Sequence, residues 1–169
     1  MNTARALAVI SLAGVAVLAP AAAHAATGPA VPATDAHSAQ TAAPTSWGPY
    51  HATGRKAVAS GSLTATPKDD RSAPAARVMV TGTVTDLTRK PTCGWAMFRV
   101  SVKASGGKVA LKHRNYRTCS YDKPRKFTFS HTGVYEVEFK ICAEAKAAKP
   151  SLNCLYSGTW KPLYTYYDA

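Results

Sequence analysis

The chain has 169 residues, with 21 Lys+Arg against 9 Asp+Glu and a formal charge of +12. That length leaves room for one domain plus extensions. Only Arg5 of the bases precedes residue 50, so the excess belongs to the C-terminal part, where it favours anionic partners through long-range attraction and decides nothing about fold.

The first 25 residues read as an export signal. MNTAR supplies a basic start at Arg5, ALAVISLAGVAVLA an apolar core, and Ala23-His24-Ala25 the small residues of a cleavage site, with cleavage expected after Ala25. The core is short for a membrane span, which needs about 20 apolar residues, and Pro20 ends it. No later segment is long and apolar enough to span, and no cysteine follows for lipid attachment. Residues 26–45 are mostly Ala, Thr and Pro with one charge, Asp35. They cannot bury enough apolar surface to offset chain ordering and are expected to form a disordered linker. The folded domain, residues 46–169, should begin at SWGPY with Trp47 and Tyr50.

From Lys56 onward the pattern has period two. KAVASGSLTAT (56–66) alternates loosely and predicts an edge strand. RVMVTGTVTD (77–86) sets Val78, Val80 and Val84 on one face. CGWAMFRVSV (93–102) sets Ala96, Phe98, Val100 and Val102 on one face and Trp95, Met97 and Arg99 on the other. After the turn signal Ser105-Gly106-Gly107, a strand over 108–116 puts Lys108, Ala110, Lys112, Arg114 and Tyr116 on one face and Val109, Leu111 and His113 on the other. RKFTFS (125–130) and VYEVEFKIC (134–142) read as two further strands, the second with Tyr135, Val137, Phe139 and Ile141 inward. A last strand lies within YSGTWKPLYTYY (156–167). The helix-capable stretch is EAKAAKPS, a turn or two before Pro150. Valine, threonine and aromatic residues dominate, as strands prefer. About seven strands with turns between them predict an all-β fold: a single disulfide-stapled antiparallel β-sandwich, Greek-key or immunoglobulin-like.

Cys93, Cys119, Cys142 and Cys154 lie in the domain, and an even count in an exported chain points to disulfides. Metal ligation is not expected, because a four-cysteine zinc site would want close C-x-x-C pairs. Three connectivities are open. If the Tyr135–Ile141 face is inward, Cys142 points out, and Cys93 shares the outward face of Trp95. Two outward cysteines reach neighbouring strands or loops, not across a core, so Cys93–Cys119 and Cys142–Cys154 are the expected bridges.

With SWGPY, TCGWAMF, RTCSY, KFTFS and VYEVEFKIC in view, the chain resembles a group of small exported actinomycete proteins that carry a signal peptide, an Ala/Thr/Pro lead and a cysteine-bridged β domain. The resemblance covers most of residues 46–160. It implies export and a bridged β fold, and it supplies no activity and no site.

No G-x-S-x-G, H-E-x-x-H or P-loop is present, and nothing calls for a cofactor or catalytic residues. Glu136 and Glu138 share a strand face and are expected to pair with bases across the strand. The stretch KHRNYRTCSYDKPRK holds Lys112, Arg114, Arg117, Lys123, Arg125 and Lys126 against Asp122 as its lone acid. Soluble faces usually mix signs, so this run is the candidate anion-binding surface, for wall polymer, lipid headgroups or nucleic acid. Trp160, Tyr164 and Tyr166 fall on one face of a regular last strand, as candidate aromatic contacts or as the end of the core. The expected function is a secreted, non-catalytic module with a basic face for anionic polymers or surfaces. The alternative is a protein-binding module, such as an inhibitor of a secreted hydrolase, using the loop 143–153.

Overall fold

A computed structural model describes residues 43–66, 74–89 and 91–166. The expected signal segment and most of the expected linker lie outside them. The described chain is mostly antiparallel β-sheet: β1 Thr45–His51, β2 Ala57–Thr66, β3 Ala75–Asp86, β4 Thr92–Lys103, β5 Val109–Thr118, β6 Arg125–Ala145 and β7 Lys161–Thr165, with one short α-helix, α1 Leu152–Tyr156, and 3-10 turns at Thr53–Arg55 and Ser105–Gly107. The strands join in one sheet in the order β1-β2-β3-β6-β4-β5, and β7 also pairs with β6.

β6 organises the sheet. Its first half, Arg125 to Val134, pairs with β3, and its second half, Val134 to Ala145, pairs with β4. RKFTFS and VYEVEFKIC are therefore one strand and not two. His131-Thr132-Gly133 bends the strand without ending it: Gly133 has φ 61°, a conformation open to glycine, and an extra residue stands between the pairs Val102–Val134 and Ser101–Glu136. The bulge shifts parity. Val134, not Tyr135, enters the core, and Tyr135 meets the ring of Tyr166 instead. The count of seven strands survives because Thr45–His51, expected only as the start of the domain, is itself a strand.

Around this hinge strand the two parts of the sheet turn their apolar faces to a common core. Val78, Val80 and Val84 of β3, Ala96, Phe98, Val100 and Val102 of β4, and Phe127 and Phe129 of β6 are buried there with Val137 and Phe139. Phe98 sits at the centre, its ring 4.9 Å from Phe129, 5.1 Å from Phe139, 5.4 Å from Phe127 and 5.9 Å from Trp47, the last edge-on. Edge-to-face pairs of this kind add to the area they bury.

β2 is not the expected edge strand; it lies between β1 and β3. Its small residues have a different cause. Gly61 and its partner Gly82 on β3 form a bed for the Trp47 indole, and a Cβ on either would come within 2.8 Å of Trp47 Cζ2.

A second apolar cluster lies on the other side of β4. Trp95 and Met97 are buried with Cys93 and Cys154, and Cys119, Cys142, Leu155 and Trp160 pack against them. Both expected disulfides are present, Cys93–Cys119 and Cys142–Cys154, and among the described residues no cysteine is free. The second bridge ties the segment after β6 back over Trp95 and Met97. The helix in this segment starts beyond Pro150, not before it. Ser151 caps it, its Oγ accepting from Cys154 N at 3.1 Å, while the Glu144 carboxylate accepts from Ser151 N at 2.8 Å.

A candidate anion-binding seam between β5 and β6

β5 pairs with β4 alone among the described strands, so its outer edge is open. Across that opening lies the first half of β6, unpaired on the side away from β3. Arg125 reaches over the gap and donates from Nη1 to the Arg117 carbonyl at 2.6 Å. The Tyr116 ring stacks on Phe127 at 4.6 Å between centroids. The two strands thus face each other through side chains and not through a backbone ladder.

Register decides which bases enter this seam. Lys112 stands opposite Val100 and Arg114 opposite Phe98, both core-side positions of β4, and Ala110 and Tyr116 on the same face of β5 pack against the main core. Arg125 is opposite buried Val84 and shares that side. Lys112, Arg114 and Arg125 therefore lie along the same open rim of the core. All three are exposed, Lys112 and Arg114 along β5 and Arg125 at the start of β6. The other expected bases go elsewhere. Arg117 lies on the opposite face of β5, over the Trp95 ring at 5.4 Å. Lys126 is opposite Thr83 on the outer side of β6, and Lys123 sits in the turn after β5. None of the six makes an ion pair with a described residue.

The electrostatics of neighbouring groups register the cluster. Burial pushes His131 below the usual histidine range, and Arg114 and Lys112 push it further down. Burial raises the Tyr116 hydroxyl above the usual tyrosine range, and Arg114 and Arg125 partly offset that. His131 Nε2 is buried without a hydrogen-bond partner among the described residues. Arg114 thus acts on both groups, with Lys112 beside it toward His131 and Arg125 beside it toward Tyr116.

The aromatic tail is not a single contact face. Trp160 packs in the second cluster, with Arg99 at 4.9 Å and Lys140 at 5.5 Å over its ring. Tyr164 packs against the main core, where burial raises its hydroxyl, and Tyr166 meets Tyr135. An extra residue between the pairs Val137–Tyr164 and Glu138–Pro162 breaks the alternation that would have aligned them. Glu138 pairs with Arg99 across the strands at 2.5 Å, as expected of an outward glutamate, and this hydrogen bond holds Arg99 above its ordinary range. Cys142, Glu144 and Cys154 lie close together, yet both sulfurs are committed to the disulfide and offer no thiolate to a metal.

Sequence reasoning did not find a groove on the outer face of β4 and β5. It is roofed by the segment 149–160 and measures about 410 Å³. The helical spacing of Leu152, Leu155 and Tyr156, directly after Pro150-Ser151, was the available signal.

No family model, curated protein or solved structure matches this chain.

Proposed function

We propose that this protein is an exported, non-catalytic module that holds anionic polymers or surfaces against the seam between β5 and β6. The observation that carries the reading is the alignment of Lys112, Arg114 and Arg125 along one open rim with no carboxylate of the described residues paired to them. Two guanidinium groups, each keeping N–H donors beyond the one given to a backbone carbonyl, and an ammonium suit phosphate groups, the chemistry shared by wall polymers, lipid headgroups and nucleic acid. The doubled sheet acts as a two-layer sandwich, with β6 as the strand that crosses back between β3 and β4 in place of a strict Greek-key order. Two disulfides suit an oxidising compartment, in line with the signal-like first 25 residues and the likeness to small exported actinomycete proteins.

Heparin chromatography across a salt series tests this. Affinity should fall log-linearly with salt, and the triple variant Lys112→Ser, Arg114→Ser, Arg125→Ser should reduce the slope by about one per lost contact. Thermal stability should hold, since exposed charges contribute about 0–1 kcal/mol each. Arg117→Ser, on the other face, should shift elution less than any one of the three. Elution of the triple variant at the parent's salt concentration would leave the three bases a role in guarding an edge strand against aggregation and nothing more. Phosphate-rich wall polymer, anionic vesicles and single-stranded DNA, compared at equal charge, separate the three sources.

A further inference from the structure

We propose that the groove on the outer face of β4 and β5 is a binding site for a small amphiphilic carboxylate: one apolar tail and one anionic head. The site is independent of the seam, because outer and inner residues alternate along β5 and the sheet separates them.

The tail is argued from what the groove exposes. Leu111 is 51% exposed, Leu152 73% and Tyr156 80%, and all three line it. Apolar side chains gathered in one concavity mark a contact site more than scattered ones do. Their exposure follows from the local covalent structure. Cys154 is buried and bonded to Cys142, so the five-residue helix turns that face to β4, and Leu152 and Tyr156, two residues to either side, project away. Leu155 and Trp160 form the inner wall. The wall is fixed in advance by the disulfide and by Lys140, whose Nζ donates to the Leu155 carbonyl at 3.1 Å, so little order has to be gained on binding. At about 410 Å³ the groove falls within the range of small-molecule sites, roughly 300–1,000 Å³.

The head is argued from charge. The lining holds Arg99, Lys149, His113 and Asn115 as its polar members and no aspartate or glutamate. Arg99 is already answered by Glu138 and lies over Trp160. Lys149 makes no direct ion pair with a described residue, so the rim offers an ammonium group beside hydrogen-bonding groups of His113 and Asn115. Such a rim favours a monoanion with an apolar body over a neutral or cationic amphiphile of equal length. A polyanion lacks the apolar part and gains nothing from this floor.

The test titrates the disulfide-bonded protein with laurate below its micelle concentration. Calorimetry reads the affinity, and backbone amide shifts locate the site. Dodecanol and dodecyltrimethylammonium serve as neutral and cationic controls. Laurate should saturate a single site, shift residues 111–115 and 149–160, and bind about tenfold more tightly than either control, the value of one charged hydrogen bond. Lys149→Glu should erase that preference and leave dodecanol binding intact, whereas Tyr156→Ser should weaken all three ligands together. The proposal is overturned if laurate does not saturate or if the controls bind as tightly as laurate. It also fails if the shifts fall on Lys112, Arg114 and Arg125, or if Tyr156→Ser acts only by abolishing self-association of the chain.

Discussion

β4 and β5 are hydrogen-bonded neighbours with similar alternation, yet β4 is buried on both faces while β5 is only partly covered on its inner face, at Ala110 and Tyr116, and exposed from Leu111 to Asn115. Phe98 and Met97, consecutive on β4, are both fully buried, one in each apolar cluster. On β5, Leu111 and Lys112 are consecutive and both exposed. The difference lies in the cover. On the inner side β4 is covered by the sheet turning on itself at β6. On the outer side it is covered by a flap of about one helical turn that the Cys142–Cys154 bridge pulls down. Neither cover reaches fully over β5, so its inner face becomes a cationic rim and its outer face the side of an apolar groove. Both candidate sites are consequences of where burial stops.

The strongest way to break this comparison is to remove the inner cover's anchor. Phe98→Ala leaves a cavity among five aromatic rings, Trp47, Tyr116, Phe127, Phe129 and Phe139, and should cost about 3–5 kcal/mol in denaturant unfolding. Because Arg114 stands opposite Phe98, heparin retention should fall with it. Retention at the parent level would show that the seam keeps its shape without the core beneath.

Removing the outer cover comes next. Cys142→Ser with Cys154→Ser should cost about 2–4 kcal/mol. Hydrogen exchange should rise in residues 149–160 and on the outer side of β4, while heparin elution stays put. Equal loss of both sites would mean that the two faces of the hairpin are not independent.

How much of this was legible in the sequence follows the same division. Alternation identified the buried faces of β3 and β4, because Val78, Val80, Val84 and Ala96, Phe98, Val100 alternate without interruption. It also gave both disulfides, since outward Cys93 and Cys142 could not meet across the core. Alternation failed wherever an extra residue intervened. Tyr135 and the Trp160–Tyr166 set were placed by a regular period that bulges in β6 and β7 interrupt. His131-Thr132-Gly133 read as a break because its glycine signals a turn and a bend equally well. On β5 the sequence separated a charged face from an apolar one, but parity alone does not say which side the rest of the sheet closes over. The apolar residues Val109 and Leu111 turned out to be on the side away from the main core, which Ala110 and Tyr116 face. The groove needed knowledge of where one buried cysteine would point, which no periodicity in a five-residue helix can carry.

The smallest effect, and the one that sharpens the reading of the inner face, is the titration of His131. Its pKa is lowered first by burial and then by Arg114 and Lys112. A base with a lowered folded-state pKa resists protonation in the native state, so its contribution to stability is complete above the unfolded value of about 6.5 and is lost as pH falls through the folded value. Lys112→Ser with Arg114→Ser should bring the His131 ring resonances, followed by NMR, to titrate at higher pH. They should not reach the unperturbed value, since burial remains the larger cause. A polyanion in the seam should do the same by neutralising the two cations. By linkage, heparin should then bind more tightly as pH falls from 7.5 to 5.5, and His131→Asn should remove that part of the dependence. A His131 titration that neither the double variant nor heparin moves would place the two bases too far from the ring to form one electrostatic site with it.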